Sequence, residues 1–219
     1  MRTVIAGGHG QIALRLSRIL HARGDQPVGL IRQAEHAVDV RAVGAEPILL
    51  DLEAASGAGE VAEVRKGADA VVFAAGAGPG SSAERKDTVD RAAAVLLADA
   101  AEAAGVRRYL MISSMGADAN SQFEGDPVFR AYLRAKGAAD DDLRARPDLD
   151  WTVLRPGSLR NDPGTGRVLL AERTGRGAIP RDDVAAVLAE LLATPATAGL
   201  TLELIGGVTP IEEAIAAFV

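Results

Sequence analysis

The sequence predicts an α/β fold, a doubly wound parallel sheet covered by helices on both faces with a small C-terminal lobe. Three observations predict it. Short apolar runs alternate with longer amphipathic stretches through the first 154 residues. Glycines stand where four of those stretches stop, at Gly24, Gly44, Gly67 and Gly105. The connections between apolar runs are long enough to hold a helix and bring the chain back, so successive strands run parallel.

Thr3 to Ala6, Pro27 to Ile31, Pro47 to Leu50, Ala70 to Ala75, Arg108 to Ile112 and Thr152 to Leu154 read as buried strands, each bounded by glycine, proline or charge. Between them, Gln11 to Arg23, Ala34 to Val43, Ala58 to Lys66, Arg85 to Ala104 and Val128 to Arg146 read as helices. In the first of these, Ile12, Leu16, Ile19 and Leu20 fall on one face. Beyond Leu154 the rhythm loosens into Arg155 to Arg167, rich in proline and glycine. A short strand around Val168, a helix from Asp182 to Leu192, a strand from Thr201 to Ile205 and a helix from Pro210 follow. This tail is too small to fold independently, so residues 1–219 form one domain in which 155–219 supply a minor substrate lobe beside the carboxyl edge of the sheet.

Thirty acidic against 24 basic side chains give a formal charge of −6, with 48% of residues hydrophobic. This is a globular composition, neither disordered nor collagenous. Having no cysteine excludes disulfides, thiolate metal sites and cysteine nucleophiles. The three histidines, His9, His21 and His36, are too few and too scattered to suggest a metal centre. Mild acidity with dispersed arginines argues against nucleic acid as partner. No stretch reaches the ~18 apolar residues of a membrane span, and the apolar run at the start is too short for a secretory signal. The expectation is a cytoplasmic protein with a small-molecule substrate, either monomer or homodimer.

The densest motif is Gly7-Gly8-His9-Gly10-Gln11-Ile12-Ala13, between the first strand and the first helix. Gly7 permits a tight turn, Gly10 lets the backbone approach a pyrophosphate, and Ala13 lets the helix pack close on the strand. Amides at the helix start would hold the phosphates. Together these point to a bound dinucleotide, NAD or NADP.

An NAD-selective site carries an acidic residue at the end of the second strand, about 20 positions on, to hold the ribose 2′-hydroxyl. Here that strand ends at Ile31-Arg32. A guanidinium suits a 2′-phosphate, so NADP(H) is favoured over NAD(H), although Arg32 as a solvated arginine and the nearby Glu35 leave the alternative open. Asp51 and Leu52, after the third strand, fall at the adenine edge, with a helix cap the competing role for Asp51.

Tyr132 and Lys136 stand four apart in a helical segment and share a face. An ammonium beside a phenol favours the phenolate and makes the tyrosine a usable acid or base near neutral pH. With two tyrosines and three lysines in the chain, random placement would give such a pair only about 0.03 times. A partly buried tyrosine over a surface lysine is the structural alternative. Upstream, Ser113 and Ser114 end the fifth strand, where doubly wound sheets place ligand chemistry. Ser114 could orient a carbonyl or share the tyrosine proton, or be an ordinary loop serine.

These residues resemble the short-chain dehydrogenase/reductase superfamily, and in particular its small atypical NAD(P)H-binding, epimerase/dehydratase-like members. The resemblance runs nearly end to end: the glycine turn, Val71 to Gly76, Ser113-Ser114, Tyr132 with Lys136, Asp150 to Gly157, and Arg181 to Ala185. It implies a Rossmann fold. It also implies that Ala74, Ala75 and Gly76 lie beside the cofactor ribose, that Pro156 and Gly157 lie by the nicotinamide, and that Lys136 binds the nicotinamide ribose. Two departures are visible. Many members carry a catalytic asparagine in the helix after the fourth strand, whereas Asn120 and Asn161 are the only asparagines here and lie outside it. The sugar-modifying members have a much larger C-terminal lobe than the 65 residues after Leu154.

The first expectation is therefore an NADP-dependent oxidoreductase acting on a small carbonyl or planar acceptor. Tyr132 would donate a proton, Ser114 orient the acceptor oxygen, and Lys136 tune the tyrosine and hold the ribose. The absent asparagine and small lobe favour a different class, a non-catalytic redox sensor. A flavin or quinone reductase, needing only hydride delivery, is the third reading.

Overall fold

The chain begins with β1 (Arg2–Ala6), α1 (Gln11–Ala22), β2 (Gln26–Ile31), a 3-10 turn (Ala34–His36) leading into α2 (Ala37–Ala42), β3 (Glu46–Leu49), α3 (Ala58–Arg65) and β4 (Ala70–Phe73). There follow α4 (Ala83–Arg85), a π-helical stretch (Lys86–Ala92) running into α5 (Ala93–Ala103), β5 (Arg108–Ile112), α6 (Pro127–Arg144) and β6 (Asp150–Pro156). The tail holds β7 (Ser158–Arg160), β8 (Arg167–Ala171), β9 (Ala178–Pro180), α7 (Arg181–Ala193), β10 (Leu200–Gly206), β11 (Thr209–Pro210) and α8 (Ile211–Ala216). The structure, a computed structural model, describes residues 1–78 and 80–219, and all of their side chains except those of residues 64 and 65.

Nine strands form one sheet in the order β11-β8-β10-β6-β5-β4-β1-β2-β3, and β7 pairs with β9 in a separate two-stranded sheet. From β3 to β10 every pairing is parallel; β8 runs the other way and pairs antiparallel with both β10 and β11. The strand period of two sorts the core into two layers. Ile5, Val72, Leu110 and Leu154 face α1 and α7. Val4, Val71, Phe73, Tyr109 and Met111 face the opposite side, where Leu97 of α5 and Leu143 of α6 cover them. This is a doubly wound Rossmann sheet.

The predicted elements are present with shifted ends. Each of the four helix-stopping glycines takes a positive φ, between +70° and +83°. β4 stops at Phe73 rather than Ala75, because after the Ala74 amide donates to the Ala6 carbonyl the chain leaves the sheet. The helix expected from Arg85 to Ala104 is split by the π-helical stretch. β7 and β9 gave no signal in the sequence: each has three residues, and all of β7 is exposed, so no apolar alternation marks it.

Arg108 fastens the tail to the sheet. Its side chain is buried and donates to the Asp150 carbonyl (2.9 Å), Thr152 Oγ1 (2.8 Å), the Leu191 carbonyl (2.6 Å) and Thr197 Oγ1 (3.0 Å). Burial pulls the guanidinium pKa down to about 10. Truncation would strip hydrogen bonds from the buried Leu191 carbonyl and the buried Thr152 and Thr197 hydroxyls, and an acceptor left unsatisfied away from water costs about 1–3 kcal/mol. Arg108→Ala should therefore lower unfolding stability by about 2–4 kcal/mol. In urea titration this should move the midpoint with little change in slope; an unmoved midpoint would show that the guanidinium does not hold residues 191–197 in place.

Candidate functional site

Strand order reverses between β1 and β4, and the turns leaving those two strands diverge to open a crevice at the carboxyl edge. Gly7 makes the turn with φ +73°, and a Cβ there would come 2.7 Å from the Ala75 Cα. At Gly8 a Cβ would come 2.5 Å from the Gly29 Cα of β2. The turn is thus wedged between the two neighbouring strands with no room for side chains. The Gly10 amide closes it by donating to the Gly7 carbonyl at 2.7 Å. α1 starts immediately afterwards with no capping side chain and no acidic residue in its first turn. Uncapped amides at a helix start attract anions. Buried Ala13 lets α1 sit close on the sheet.

A cleft of about 230 Å³ opens over this turn, lined by Gly7, His9 and Gly10, by Arg32 and His36, by Leu50 to Glu53, and by Ala74 to Gly76. A backbone cradle of this shape, beside uncapped amides, fits a dinucleotide's pyrophosphate and adenosine. A hollow of about 370 Å³ between Arg2, Gly24, Asp25 and Glu46 lies at the opposite, amino-terminal end of the strands, away from the glycine turn.

The polar groups of the cleft are exposed and paired. Arg32 Nη1 donates to Glu53 Oε2 at 3.3 Å; Glu53 also accepts from Arg85 Nη2 (2.8 Å) and Thr88 Oγ1 (2.7 Å). The carboxylate facing Arg32 is therefore Glu53, not Glu35. Asp51 Oδ1 accepts from the Glu53 amide at 3.0 Å, a local turn contact, while Asp51 and Leu52 both line the cleft. His9 and His36 stack with ring centroids 3.7 Å apart and planes 7° from parallel. His9 Nε2 lies 2.8 Å from Asp39 Oδ2.

On the far side, the ends of β5 and β6 and the face of α6 meet. Lys136 is buried, and its Nζ donates to the carbonyls of Ile112 (3.1 Å) and Ala75 (3.4 Å) while facing Asp90 Oδ1 at 3.3 Å. Asp90 Oδ2 accepts from the Ala77 amide at 3.2 Å. A second pair lies beside it: Asp140 Oδ2 accepts from Arg155 Nε (2.9 Å) and from Ser113 Oγ (2.8 Å). Burial pushes the Asp140 carboxyl above the usual carboxylate range, against the pull of Arg155 and Ser113.

Ser113 is thus committed to the interior, whereas half-buried Ser114 has only a 3.3 Å contact to the Met115 carbonyl. Tyr132 is half-buried on α6 with its ring 5.8 Å from Phe129 and with Lys86 Nζ 5.4 Å from its centroid. Pro156 ends β6, and its carbonyl accepts from the Met115 amide at 3.1 Å. Gly157 packs so closely that a Cβ there would come 2.4 Å from the Gly177 carbonyl oxygen.

Asp90, Asp140, Arg155, Lys86, Glu53 and His36 were not singled out from the sequence. Asp90 carried a readable signal, since it shares the apolar stripe of Val89, Ala93, Ala94 and Leu97, where a lone carboxylate needs a buried cation. The others depend on contacts between distant segments.

Residues 7–195 match the NAD(P)H-binding family. The chain belongs to that family. Among its relatives, the Bacillus subtilis protein named "uncharacterized sugar epimerase YhfK" is 35% identical over 98% of this chain and 99% of its own length. A Bacillus halodurans structure, provisionally named an NAD-dependent epimerase/dehydratase, superposes with a TM-score of 0.90 at 35% identity, covering 99% of both chains. The Lactococcus lactis oxidoreductase ylbE superposes at 0.86 with 26% identity, covering 99% of this chain and 96% of that one. The expected likeness to small atypical short-chain dehydrogenase/reductases is therefore met. Among the described residues, no helix is long and apolar enough to cross a membrane.

For an NAD(P)H-binding chain the glycine turn sets a direct test. Gly10 has an ordinary φ of −63°, so Gly10→Val brings steric bulk without forbidden backbone geometry. Calorimetry should find dinucleotide affinity at least about a hundredfold weaker, or about 2.7 kcal/mol, in a protein that still unfolds cooperatively. Unchanged affinity would remove the pyrophosphate from this turn.

Proposed function

We propose that this NAD(P)H-binding oxidoreductase works with NADPH and reduces a small carbonyl or planar acceptor. The observation that carries the cofactor preference is Arg32. It leaves β2 beside the cleft, is exposed, and is held only by a 3.3 Å contact to Glu53 that a phosphate can replace. The turn and uncapped α1 start would hold the pyrophosphate, Asp51 and Leu52 the adenine edge, and Ala74 to Gly76 the ribose side. When bound, the nicotinamide supplies hydride. Residues 155–219 act as the minor substrate lobe, with β7 following directly on Gly157 and pairing with β9.

Lys136 serves this site as a fixed cation: its donors already bridge the ends of β4 and β5, and Asp90 matches its charge. Ser114, with a single weak local contact, is free to donate to an acceptor oxygen. Tyr132 supplies the proton to that oxygen. Phe123 and Phe129, 5.1 Å apart and 38% and 41% exposed, continue the aromatic surface from Tyr132, which favours a flat acceptor. The same surface keeps the flavin or quinone reading as the second choice, because stacking alone would position such a ring.

Two variants test these roles. Purified protein should bind NADPH more tightly than NADH, and Arg32→Ala should remove about 1.5–3 kcal/mol of that preference, the worth of a charge-assisted hydrogen bond; equal affinities in the parent would end the NADP reading. Tyr132→Phe keeps the shape and loses the proton donor. Turnover of a responsive aldehyde or ketone, found by following NADPH consumption, should then fall by about 10²–10⁴. Turnover that survives the substitution would assign the protein to hydride delivery alone, and no turnover of any acceptor by the parent would favour a sensor.

A further inference from the structure

His9 and His36 are two of the three histidines of the chain, and both line the cleft beside Arg32. They come from different segments, the glycine turn and the 3-10 turn after β2, yet their rings lie face to face at 3.7 Å. We infer that this stacked pair is a proton-loaded part of the 2′-phosphate site, so that preference for NADPH over NADH grows as pH falls. The inference rests on the NADP reading above and deepens it.

Charge decides the matter. Around the pair stand Arg32, Asp51 and Glu53 on the cleft wall, Asp39 of α2 against His9, and Arg85 against Glu53. Glu35 is exposed on the same 3-10 turn as His36. Val89 and Ala93, which close the cleft from the helix after β4, bring no charge. Two arginines against the three carboxylates Asp39, Asp51 and Glu53 leave one net negative charge while both imidazoles are neutral, and Glu35 adds another. A phosphate carrying almost two negative charges meets repulsion there. Protonating both rings reverses the sign of the nearer group.

Two positive charges stacked face to face repel each other, so charging both rings calls for negative groups beside them. Asp39 offsets one of those charges at 2.8 Å from His9 Nε2. A 2′-phosphate would supply the offset for the other. Binding of NADPH therefore takes up a proton, whereas the uncharged 2′-hydroxyl of NADH gives no such reward. Histidine is the side chain whose ordinary titration range makes this exchange available near neutral pH.

The test is calorimetry of the full chain with NADPH and NADH at pH 6.5, 7.5 and 8.5 and constant ionic strength, repeated in buffers of different ionisation enthalpy. The range keeps the ligand's own phosphate mainly dianionic, and titration of that phosphate alone would weaken binding toward acid. NADPH affinity should be about tenfold tighter at pH 6.5 than at pH 8.5, with about half a proton taken up at pH 7.5, while NADH affinity moves less than about twofold. His36→Gln should hold NADPH weakly at every pH, and His36→Arg, with a permanent charge, should hold it tightly at every pH. An NADPH preference that stays constant with pH, or a full slope in His36→Gln, overturns the inference and leaves the NADP reading standing. Equal affinity for the two cofactors at all three pH values overturns both.

Discussion

The backbone of Gly7 lies directly against the backbone of Ala75, and this contact sets the position of everything at the carboxyl edge. It is possible only because the strand order reverses between β1 and β4, so that the two exits diverge and leave the space between them open. A side chain at Gly7 would hold the turns apart and move the start of α1 off the cleft. The uncapped helix amides, the cleft wall at Ala74 to Gly76 and the Lys136 contact to the Ala75 carbonyl all take their places from that approach.

Beneath the proposed acceptor side lie two ion pairs, buried Lys136 with buried Asp90 and partly exposed Arg155 with buried Asp140. Buried pairs are poor sources of stability, since desolvation offsets most of their attraction. They do restrict geometry. Lys136 joins the ends of β4 and β5, and Asp140 ties Ser113 of the β5 exit to Arg155 of β6. The floor of the site is thus cross-linked by polar contacts, which suits the fixed separation that the proposed hydride transfer would require.

Much of this architecture could be read from the residues in order. Short apolar runs with glycine-stopped helices between them point to a parallel sheet, and the glycine turn after the first strand locates the crevice. The extent of β4 could not be read, because Ala74 and Ala75 look like strand residues until the divergence at the crevice is known. Nor could the π-helical stretch that carries Asp90 inward, since its sequence suits an ordinary helix. At the site, Arg32 and the Tyr132–Lys136 spacing were visible as local patterns. Their partners Glu53 and Asp90 lie 21 and 46 positions away and meet them only through the packing of separate helices and loops.

The two halves of the site treat charge in opposite ways. On the acceptor side Lys136 and Asp90 are almost wholly buried, at 4% and 0% side-chain exposure, and low local dielectric makes their arrangement stiff and insensitive to salt. On the adenosine side Arg32 is 54% exposed and Asp39 57%, so each pairing is weak, screened and readily exchanged for a ligand group. A phosphate can displace Glu53 from Arg32 without leaving an unsatisfied ion, because Arg85 and Thr88 still hold that carboxylate. In the proposed reading, cofactor selection sits where charges can rearrange, and the reacting atoms where they cannot. The single sheet edge that joins the two halves lets the first respond to its surroundings while the second keeps its geometry.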